Sequence, residues 1–544
     1  MIPNCAPSSG VRIKKDKGEK NMKKTLSAVL TLCLLLSCVS IAALAEDDWI
    51  TLRVEVFDRS TAGLNLEDCM QLRYIQENFG NPNHINVKFV PISRWSETEI
   101  LNTQLAGGTA PDVCMTYDSA LVQNFIDMGG LYPMDDLLAN YGQNLTKFLG
   151  ESVLQFGRKG DPGAETQWYV CARRISVARS GGLIRGDWLE KLNMANPTTI
   201  DEWVNYLYAA KEANLGGEQT VPFVLKSVPE APIFSIDLLI DAMIDWDKVT
   251  KEQYYSQYKV QLPGAKEAFR LLNKLYNDGL MNETFAIDNG DIRDLAMNQG
   301  YAGYYIESPI QVFGVNAGYQ YELTQNVPDG YWVASNCFKD KFDRTLHEVY
   351  DANGMCIFIP SWVSEETAVA AMKYLDWISI FENRFFLTFG VEGINYKSVS
   401  EEGFPMERQG NAVDDEYKMS GDVLCISNGV SFDDPELDAK YQSIAYPGYE
   451  ERVAEALSLA NTDIYRPISF TVTIQSEADY GLTIKTKLAE LLAKSVTCSP
   501  ADFDAAYDNG VAEILSAGGA EIVAEKLAAY QAGAYRGDYP GLAE

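Results

Sequence analysis

Side chains that could carry out catalysis are scarce in this sequence of 544 residues. It contains only two histidines, His84 and His347, and neither lies in a His-Glu-x-x-His metal-binding pattern. The chain also lacks a Gly-x-Ser-x-Gly turn, a Gly-x-x-x-x-Gly-Lys-Ser/Thr phosphate loop and a Gly-x-Gly-x-x-Gly dinucleotide turn after a strand. These absences argue against histidine-based catalysis, serine hydrolases and nucleotide-dependent enzymes.

Carboxyl groups are plentiful, and they leave one class of enzyme open. The chain has 76 Asp and Glu residues, and a glycoside hydrolase needs only two carboxyl groups about 5 to 10 Å apart. Nothing in the spacing of these residues selects such a pair. The glycoside hydrolase stays as an alternative, while the sequence as a whole does not indicate an enzyme.

The charge balance excludes some partners. The formal net charge is −31, and because the first 45 residues are net basic, the rest of the chain is more acidic still. Such a chain repels nucleic acid and anionic lipid, so we expect no nucleic-acid partner. An acidic, solvated surface that keeps an exported protein soluble explains this charge better than an acidic active site does.

The cysteines indicate neither a metal site nor a disulfide framework. After residue 45 their number is odd, and no two of them have a Cys-x-x-Cys spacing. One or two disulfides outside the cell stay open, but the sequence does not pair them, and we expect no metal ion or other cofactor. These cysteines are Cys69, Cys114, Cys171, Cys337, Cys356, Cys425 and Cys498.

Residues 1–45 have the pattern of a leader. Met22-Lys23-Lys24 and the apolar run from Leu26 to Leu36 match the charged and apolar regions of a secretory signal. Ala43-Leu44-Ala45 supplies a small-x-small cleavage site. We therefore expect the exported chain to begin at Glu46.

Two other fates of the leader stay open. Its apolar stretch is long enough to remain as an uncleaved membrane anchor. Leu35-Leu36-Ser37-Cys38 loosely fits a bacterial lipobox, which would attach lipid at Cys38. In each case the rest of the chain lies outside the cell, either free or at the surface.

Past the leader, strands alternate with helices, which favours an α/β architecture over a sandwich or a bundle. Thr51 to Phe57 alternates like a strand, Asn65 to Phe79 has helical spacing, and Asn86 to Val90 predicts the next strand. Ser96-x-x-Glu99 and Thr199-x-x-Glu202 are capping boxes that predict the starts of two further helices.

Several segments carry a resemblance to a known family. They are Leu101 to Val113, with its Gly107-Gly108-Thr109-Ala110-Pro111-Asp112 turn, Ile184-Arg185-Gly186-Asp187-Trp188-Leu189-Glu190-Lys191-Leu192 leading into Pro197-Thr198-Thr199-Ile200-Asp201-Glu202-Trp203, and Leu375-Asp376-Trp377-Ile378 followed by Gly390-Val391-Glu392-Gly393-Ile394-Asn395-Tyr396. In their order and spacing they resemble the extracellular solute-binding protein family 1 of ABC importers. The long lipoproteins of Firmicutes related to oligosaccharide- and alginate-binding proteins are the most similar branch.

The resemblance implies an α/β fold of two lobes, the periplasmic-binding-protein-like fold of type II. In this fold, hinge crossings join the lobes and the ligand binds in the cleft between them. The family layout assigns 46–165 and 335–380 to the N-terminal lobe, and 166–334 and 381–544 to the C-terminal lobe. A hinge suits transport, because a transporter can recognise the closed shape as a loaded one.

The implied function is capture of a carbohydrate, an oligosaccharide above all, by a monomer that delivers it to the permease subunits of an ABC importer. A sensor-coupled or adhesive sugar-binding surface protein is the alternative. Relatives in this branch often carry a calcium loop after the Thr-Thr-x-Asp-Glu-Trp helix. Here Glu212 to Gln219 has too few carboxylates at the required spacing, so we expect no calcium ion.

A sugar site needs aromatic faces beside hydrogen-bonding groups, because sugar rings carry apolar CH faces as well as hydroxyls. In α/β sheets such groups lie where strands end. This rule selects Asp58 and Arg59 after the first strand. It also selects Tyr117 and Asp118 after a strand predicted from Asp112 to Thr116.

The family layout adds further positions near the cleft. It puts Arg173, Arg174 and Glu307 there, with Arg174 and Glu307 on the lobe opposite Tyr117. Trp residues that could stack on a sugar or pack in the core, and a Glu that could face the cleft or brace a turn, complete the prediction. The predicted ligand-binding set is Asp58, Arg59, Trp95, Tyr117, Asp118, Arg173, Arg174, Glu307, Trp332 and Glu392, with no catalytic and no metal-ligating residue.

Overall fold

A computed structural model describes residues 49–159, 164–175, 177–225, 232–288, 291–310, 312–313, 318–410, 412–446 and 448–542. The predicted leader, with its cleavage site and Cys38, lies outside these residues. Within the described ranges, no helix combines the length and apolar character needed to cross a bilayer.

The first sheet has four strands, in the spatial order Ser427–Asn428, Val170–Arg174, Asn353–Phe358 and Cys114–Thr116. Asn353–Phe358 runs antiparallel to both of its neighbours, while Ser427–Asn428 runs parallel to Val170–Arg174. A parallel bridge from Val54 to Val113 adds strand Ile50–Asp58, which pairs with Ile85–Ser93. The strands predicted from Thr51 to Phe57, from Asn86 to Val90 and from Asp112 to Thr116 are therefore present.

The second sheet has the spatial order Trp332–Ser335, Gly181–Arg185, Ala302–Glu307 and Val221–Phe223. The first three strands are antiparallel, and Val221–Phe223 runs parallel to Ala302–Glu307. Helices pack against both sheets, as an α/β architecture requires: Gln143–Leu149 and Glu151–Leu154 contact Val170–Arg174, and Ile200–Glu212 contacts Val221–Phe223. The α-helices within the described residues are Met70–Ile75, Asn81–Asn83, Glu97–Ala106, Ser119–Asp127, Asp135–Tyr141, Gln143–Leu149, Glu151–Leu154, Gly186–Leu192, Ile200–Glu212, Asp237–Met243, Lys251–Ser256, Ala265–Asn277, Asp291–Asn298, Tyr319–Asn326, Glu365–Ile378, Phe381–Phe389, Pro435–Ile444, Glu450–Ala460, Gln475–Thr497, Phe503–Ile514 and Ala520–Gln531.

The two capping boxes have different outcomes. Thr199 accepts a hydrogen bond from the Glu202 backbone N–H at 3.2 Å, and helix Ile200–Glu212 buries Trp203 completely. Helix Glu97–Ala106 is also present, but the Ser96 side chain makes no capping hydrogen bond. The prediction from the Ser96 motif was therefore right about the helix and wrong about its cap.

The chain crosses between the sheets in segments that are tied together. The first crossing runs from Arg174 to Gly181, and the second from Ser335 to Asn353. The Arg179 N–H donates to Glu348 O at 2.8 Å, and the Tyr350 N–H donates to Val177 O at 3.1 Å. These hydrogen bonds join the two crossings side by side.

A further segment joins the same bundle. Strand His347–Glu348 pairs in parallel with Ile464–Tyr465, and the Val349 N–H donates to Tyr465 O at 3.0 Å. The three strand-like segments therefore lie together where a hinge between the two sheets would have to bend. Strand pairing shows only which strands share a sheet, so the predicted lobe boundaries stay a prediction.

Candidate functional site

Four strands end at one edge of the molecule. Three of them belong to the first sheet, and the fourth, Ile50–Asp58, is bridged to that sheet. Ile50–Asp58, Cys114–Thr116, Val170–Arg174 and Ser427–Asn428 run in the same direction, as their parallel and antiparallel pairings require. Their carboxyl ends therefore meet, which is where α/β sheets bind ligands. We call the side chains at this edge the arginine–tyrosine wall, which consists of Phe57, Arg94, Trp95, Tyr117, Arg174, Tyr350 and Asn428.

Arg94 is the centre of one half of the wall. Its guanidinium carbon lies 4.7 Å from the ring centre of Tyr117 and 5.3 Å from that of Phe57. The Trp95 ring, 5.9 Å away, is 78% exposed. Because guanidinium groups bind the faces of aromatic rings, Arg94 holds a buried ring and two accessible rings in one cluster.

Asn428 fixes the orientation of Tyr117. Its side-chain N–H donates to the Tyr117 hydroxyl at 2.6 Å, and its carbonyl oxygen accepts from the Met355 N–H at 3.2 Å. A side chain at Gly354 would collide with that oxygen, so glycine is needed there for the contact. Asn428 is also the strand partner of Arg174, which brings Arg174 next to the Tyr117 hydroxyl.

Arg174 is the centre of the other half. It lies over the Tyr350 ring at 3.6 Å, and burial lowers the pKa of its guanidinium. Tyr350 belongs to the second crossing, so the wall reaches the hinge region. Arg179 in the first crossing pairs with Glu348 and lies 5.3 Å from the ring of Phe234, near the second sheet.

Two buried carboxyl groups lie behind the wall. Burial raises the pKa of Glu55 to about 8, and burial also raises the pKa of Glu97. Glu97 accepts from the Thr116 hydroxyl at 3.1 Å and from the Tyr117 N–H at 3.3 Å, while Glu55 accepts from the Met115 N–H at 3.0 Å. These bonds hold the strand end that presents Tyr117.

A cavity of about 560 Å³ opens beside the wall. Ile175 and Val177 of the first crossing line it, and Gly429 joins it to the strand end at Asn428. Ile310, which follows a strand of the second sheet, and Arg408 also line the cavity. Its volume lies within the range of small-molecule sites, and it is large enough for part of an oligosaccharide.

Six of the predicted residues lie at or next to the wall: Asp58, Arg59, Trp95, Tyr117, Asp118 and Arg174. Arg59 forms a two-point ion pair with Asp422 at 2.6 and 3.0 Å, and Asp58 accepts from the Ser60 N–H at 2.7 Å. Asp118 caps helix Ser119–Asp127 by accepting from the Leu121 N–H at 2.9 Å. These three carboxylates and the Arg59 guanidinium are thus already engaged within the protein.

The structure does not bring the other four predicted residues to the wall. Arg173 points to the opposite face of the strand, where it donates to Phe148 O at 3.2 Å. Trp332 is fully buried in the core of the second sheet, and Glu307 pairs with Arg293 at 3.4 Å. Glu392 is exposed in the turn before Tyr396.

The pairing of the strands differs from one expectation about Arg174. Arg174 was expected on the lobe opposite Tyr117, but strand Val170–Arg174 belongs to the first sheet, as the strand before Tyr117 does. The order of strands along the chain does not reveal this, because Asn353–Phe358, from much later in the sequence, lies between them. Arg174 and Tyr117 therefore act from the same side.

Several wall residues escaped the sequence analysis. Arg94 follows strand Ile85–Ser93, so the rule that selected Asp58 and Tyr117 would also have found it. Tyr350 and Asn428 have no such signal, because they lie in a crossing and in a two-residue strand. Arg408, which lies over Phe389 at 5.1 Å, reaches the cavity from a strand that the sequence does not mark.

No metal site is apparent in the part of the chain that the structure describes. There, no three His, Cys, Asp or Glu side chains are grouped so that they could hold an ion. The stretch that follows helix Ile200–Glu212 forms a short turn, Gly217–Gln219. The wall offers arginine N–H groups, an amide, hydroxyls and aromatic faces, which suit the binding of a polar ring compound.

Two sheets joined by crossings, with polar side chains at the edge of one of them, define a protein of the two-lobed periplasmic-binding-protein-like fold. A solved structure of the alginate-binding protein AlgQ2 has a TM-score of 0.59 to this chain at 17% identity and covers 90% of this chain and 99% of its own. An HMO-binding, ABC-transporter-associated solute-binding protein from Bifidobacterium longum infantis has a TM-score of 0.61 at 14% identity, with 89% and 99% covered.

The chain belongs to the family of bacterial extracellular solute-binding proteins, whose model matches residues 75–383. The polygalacturonan/rhamnogalacturonan-binding protein YtcQ of Bacillus subtilis is 22% identical over 323 residues, which are 56% of this chain and 59% of that relative. The lipoprotein LipO of the same organism is 22% identical, with 58% and 61% covered. The chain thus aligns with about three fifths of the length of these relatives.

Proposed function

We propose that this protein captures a carbohydrate outside the cell and delivers it to the permease subunits of an ABC importer. The arginine–tyrosine wall is the observation that carries the proposal. It combines aromatic faces with fixed hydrogen-bonding groups beside a cavity of about 560 Å³. The names of the relatives support a carbohydrate, since they bind alginate, polygalacturonan or HMO.

The binding step follows from the chemistry of sugars. The apolar CH face of a sugar ring packs on the exposed rings of Trp95 and Tyr117, while its hydroxyls accept from arginine and amide N–H groups. The protein binds without covalent change, and no hydrolysis of the ligand is expected. Binding favours the state in which the lobes meet around the sugar, because only that state contacts the sugar from both sides.

The hinge lies at the tied crossings in this proposal. A rotation there moves the second sheet toward the wall, and Tyr350 and Arg174 are the wall residues nearest to it. The protein acts as an exported monomer. It is either cleaved before Glu46 or anchored by lipid at Cys38, and the mass of the exported chain distinguishes these two forms.

A melting-temperature screen tests the function. Residues 46–544 are heated with a panel of neutral and acidic mono- and oligosaccharides, and binding to the native state is expected to raise the melting temperature. Tyr117→Ala should abolish most of the shift by weakening binding about tenfold or more, since a stacking face and a hydroxyl are lost.

Tyr276→Ala is the matched control for this experiment. Tyr276 is also half-buried, contacts one ring, that of Phe285, and donates from its hydroxyl to Glu283 O at 3.2 Å. It should leave the ligand-induced shift unchanged. A panel without any shift would refute carbohydrate capture, and release of shorter sugars during incubation would point to a glycoside hydrolase.

A further inference from the structure

We infer that Arg94 and Arg174 make the site selective for acidic carbohydrates, in which a carboxylate replaces a hydroxymethyl group on the sugar ring. The inference rests on the proposed function and narrows its substrate class. It is carried by two half-buried arginines that have aromatic partners but no carboxylate partner among the described residues.

The Arg94 guanidinium contacts aromatic rings and pairs with no carboxylate among the described residues. The rings of Tyr117 and Phe57 lie against the guanidinium at 4.7 and 5.3 Å. The charge of Arg94 acts on the buried Glu97, but that carboxyl group accepts its hydrogen bonds from Thr116 and Tyr117. The in-plane N–H groups of Arg94 are the ones that bind a carboxylate by two parallel hydrogen bonds.

Arg174 repeats this arrangement closer to the cavity. It stacks on Tyr350 at 3.6 Å, and its pKa is lowered by burial, so its charge is partly removed from water. Arg179, further along the first crossing, adds a repulsive positive charge to Arg174 but is itself paired with Glu348. An anion from outside the protein would relieve both the desolvation and the repulsion at Arg174.

The arginines that the structure buries most deeply, Arg185, Arg293 and Arg384, each have a carboxylate partner. The chain has 76 acidic and only 45 basic residues, so carboxylates are available almost everywhere. Other well-buried arginines have used them: Arg185 pairs with Asp187 at 2.7 Å and Arg384 with Asp433 at 2.6 Å. Two unpaired guanidiniums at one strand edge, within an acidic protein, therefore indicate a site that is completed by an anionic ligand.

A carboxylate fits better than other anions because it is planar. The guanidinium fork matches the two oxygens of a carboxylate, and the Tyr117 and Trp95 rings beside Arg94 offer aromatic faces to a sugar ring. A uronic acid presents both features at once, namely a carboxylate edge and an apolar ring face. A neutral hexose would leave the arginine edges without an anionic partner.

Titration calorimetry with paired ligands tests the inference. Trigalacturonate and trimannuronate are each compared with their methyl esters, which keep the sugar chain and remove the charge. At least one acid should bind about tenfold or more tightly than its ester, because truncating a close charge pair costs that much or more. Arg174→Gln and Arg94→Gln should each reduce the ratio of acid to ester affinity several-fold or more, and because both ligands are compared within one variant, a general loss of sugar affinity cancels from this ratio.

Arg452→Gln is the matched control, and Arg174→Lys covers the case in which glutamine disturbs folding. Arg452 lies over the Tyr331 ring at 4.6 Å, much as Arg94 lies over Tyr117, but neither Arg452 nor Tyr331 belongs to the arginine–tyrosine wall. The control variant should keep the preference for the acid. Arg174→Lys keeps the charge and loses the fork, so it should retain only part of the preference.

Three results would overturn the inference. Equal binding of acid and ester, or binding of neutral sugars alone, would remove the acidic specificity and leave carbohydrate capture standing. A sulfated trisaccharide that binds as tightly as the uronates would show that charge alone is recognised, and not a carboxylate. If no sugar of any kind binds, the proposed function falls with it.

Discussion

Asp187→Ala is expected to lower the free energy of unfolding by about 3 to 5 kcal/mol, the usual cost of leaving a buried charge without its partner. Asp187 holds Arg185 by two hydrogen bonds of 2.7 and 2.9 Å, and both side chains are almost completely buried. The Arg185 guanidinium also donates to Gly300 O at 3.0 Å, which ties the start of helix Gly186–Leu192 to the loop before Ala302. Without Asp187 its charge stays in the core of the second sheet.

Differential scanning calorimetry and denaturant unfolding measure this loss. Asp278→Ala is the control, because Asp278 forms an exposed pair with Lys274 at 2.7 Å, and such pairs contribute about 1 kcal/mol or less. The double variant Arg185→Met/Asp187→Ala should recover much of the stability, since it removes both charges. Equal losses in Asp187→Ala and Asp278→Ala would contradict this description of the core.

Acidification below pH 6.5 is expected to destabilise the protein through His347, by about 3 kcal/mol when pH 4 is reached. Burial lowers the pKa of His347 from 6.5 to about 4, so the folded protein keeps the ring neutral. The unfolded chain binds a proton more readily. The contribution to stability is therefore complete above pH 6.5 and is lost as the pH falls toward 4.

His347 lies among the segments that tie the two crossings together. Its ring nitrogens lie 3.1 Å from Ser180 O in the first crossing and 3.2 Å from the Asn336 amide oxygen in the second. The hydrogen bond to Ser180 O and the charge of Asp463, which follows helix Glu450–Ala460, oppose the effect of burial on the pKa of His347. Protonation therefore acts where three chain segments meet.

Unfolding is measured from pH 4 to pH 8 in the wild type and in His347→Gln. The difference between the two curves should slope between pH 6.5 and pH 4 and be flat above it. His84→Gln changes the exposed second histidine and should keep the wild-type slope. Identical slopes in the wild type and in His347→Gln would show that the buried histidine does not titrate as described.

Local patterns predicted the elements that position the site better than they predicted the site. The alternation of Thr51 to Phe57 and the spacing of Trp203 in its helix reflect burial of one face. Such a period can be recognised in the sequence because it involves only residues close together in the chain. The motif from Ile184 to Leu192 contains helix Gly186–Leu192, in whose first turn Asp187 pairs with Arg185. The Ser96 cap failed because a capping motif indicates a helix start but does not force the side chain to turn back.

The wall depends on contacts between distant parts of the chain, which residue spacing does not encode. Tyr117 and Asp118 were found because the end of a strand is a local feature. The sharing of a sheet by Arg174 and the strand before Tyr117 was not foreseen, and Asn428 was missed, because both depend on which strands become neighbours in the first sheet. The pairing of Arg59 with Asp422 likewise joins residues from opposite halves of the chain.

A crystal structure of the protein with the oligosaccharide that gives the largest rise in melting temperature tests the central claim most directly. We expect the sugar to lie at the arginine–tyrosine wall, with a ring packed on Tyr117 or Trp95 and polar contacts to Arg94 and Arg174. The two sheets should be closer together than without ligand. A sugar bound on an outer face, with the wall unoccupied, would contradict the account.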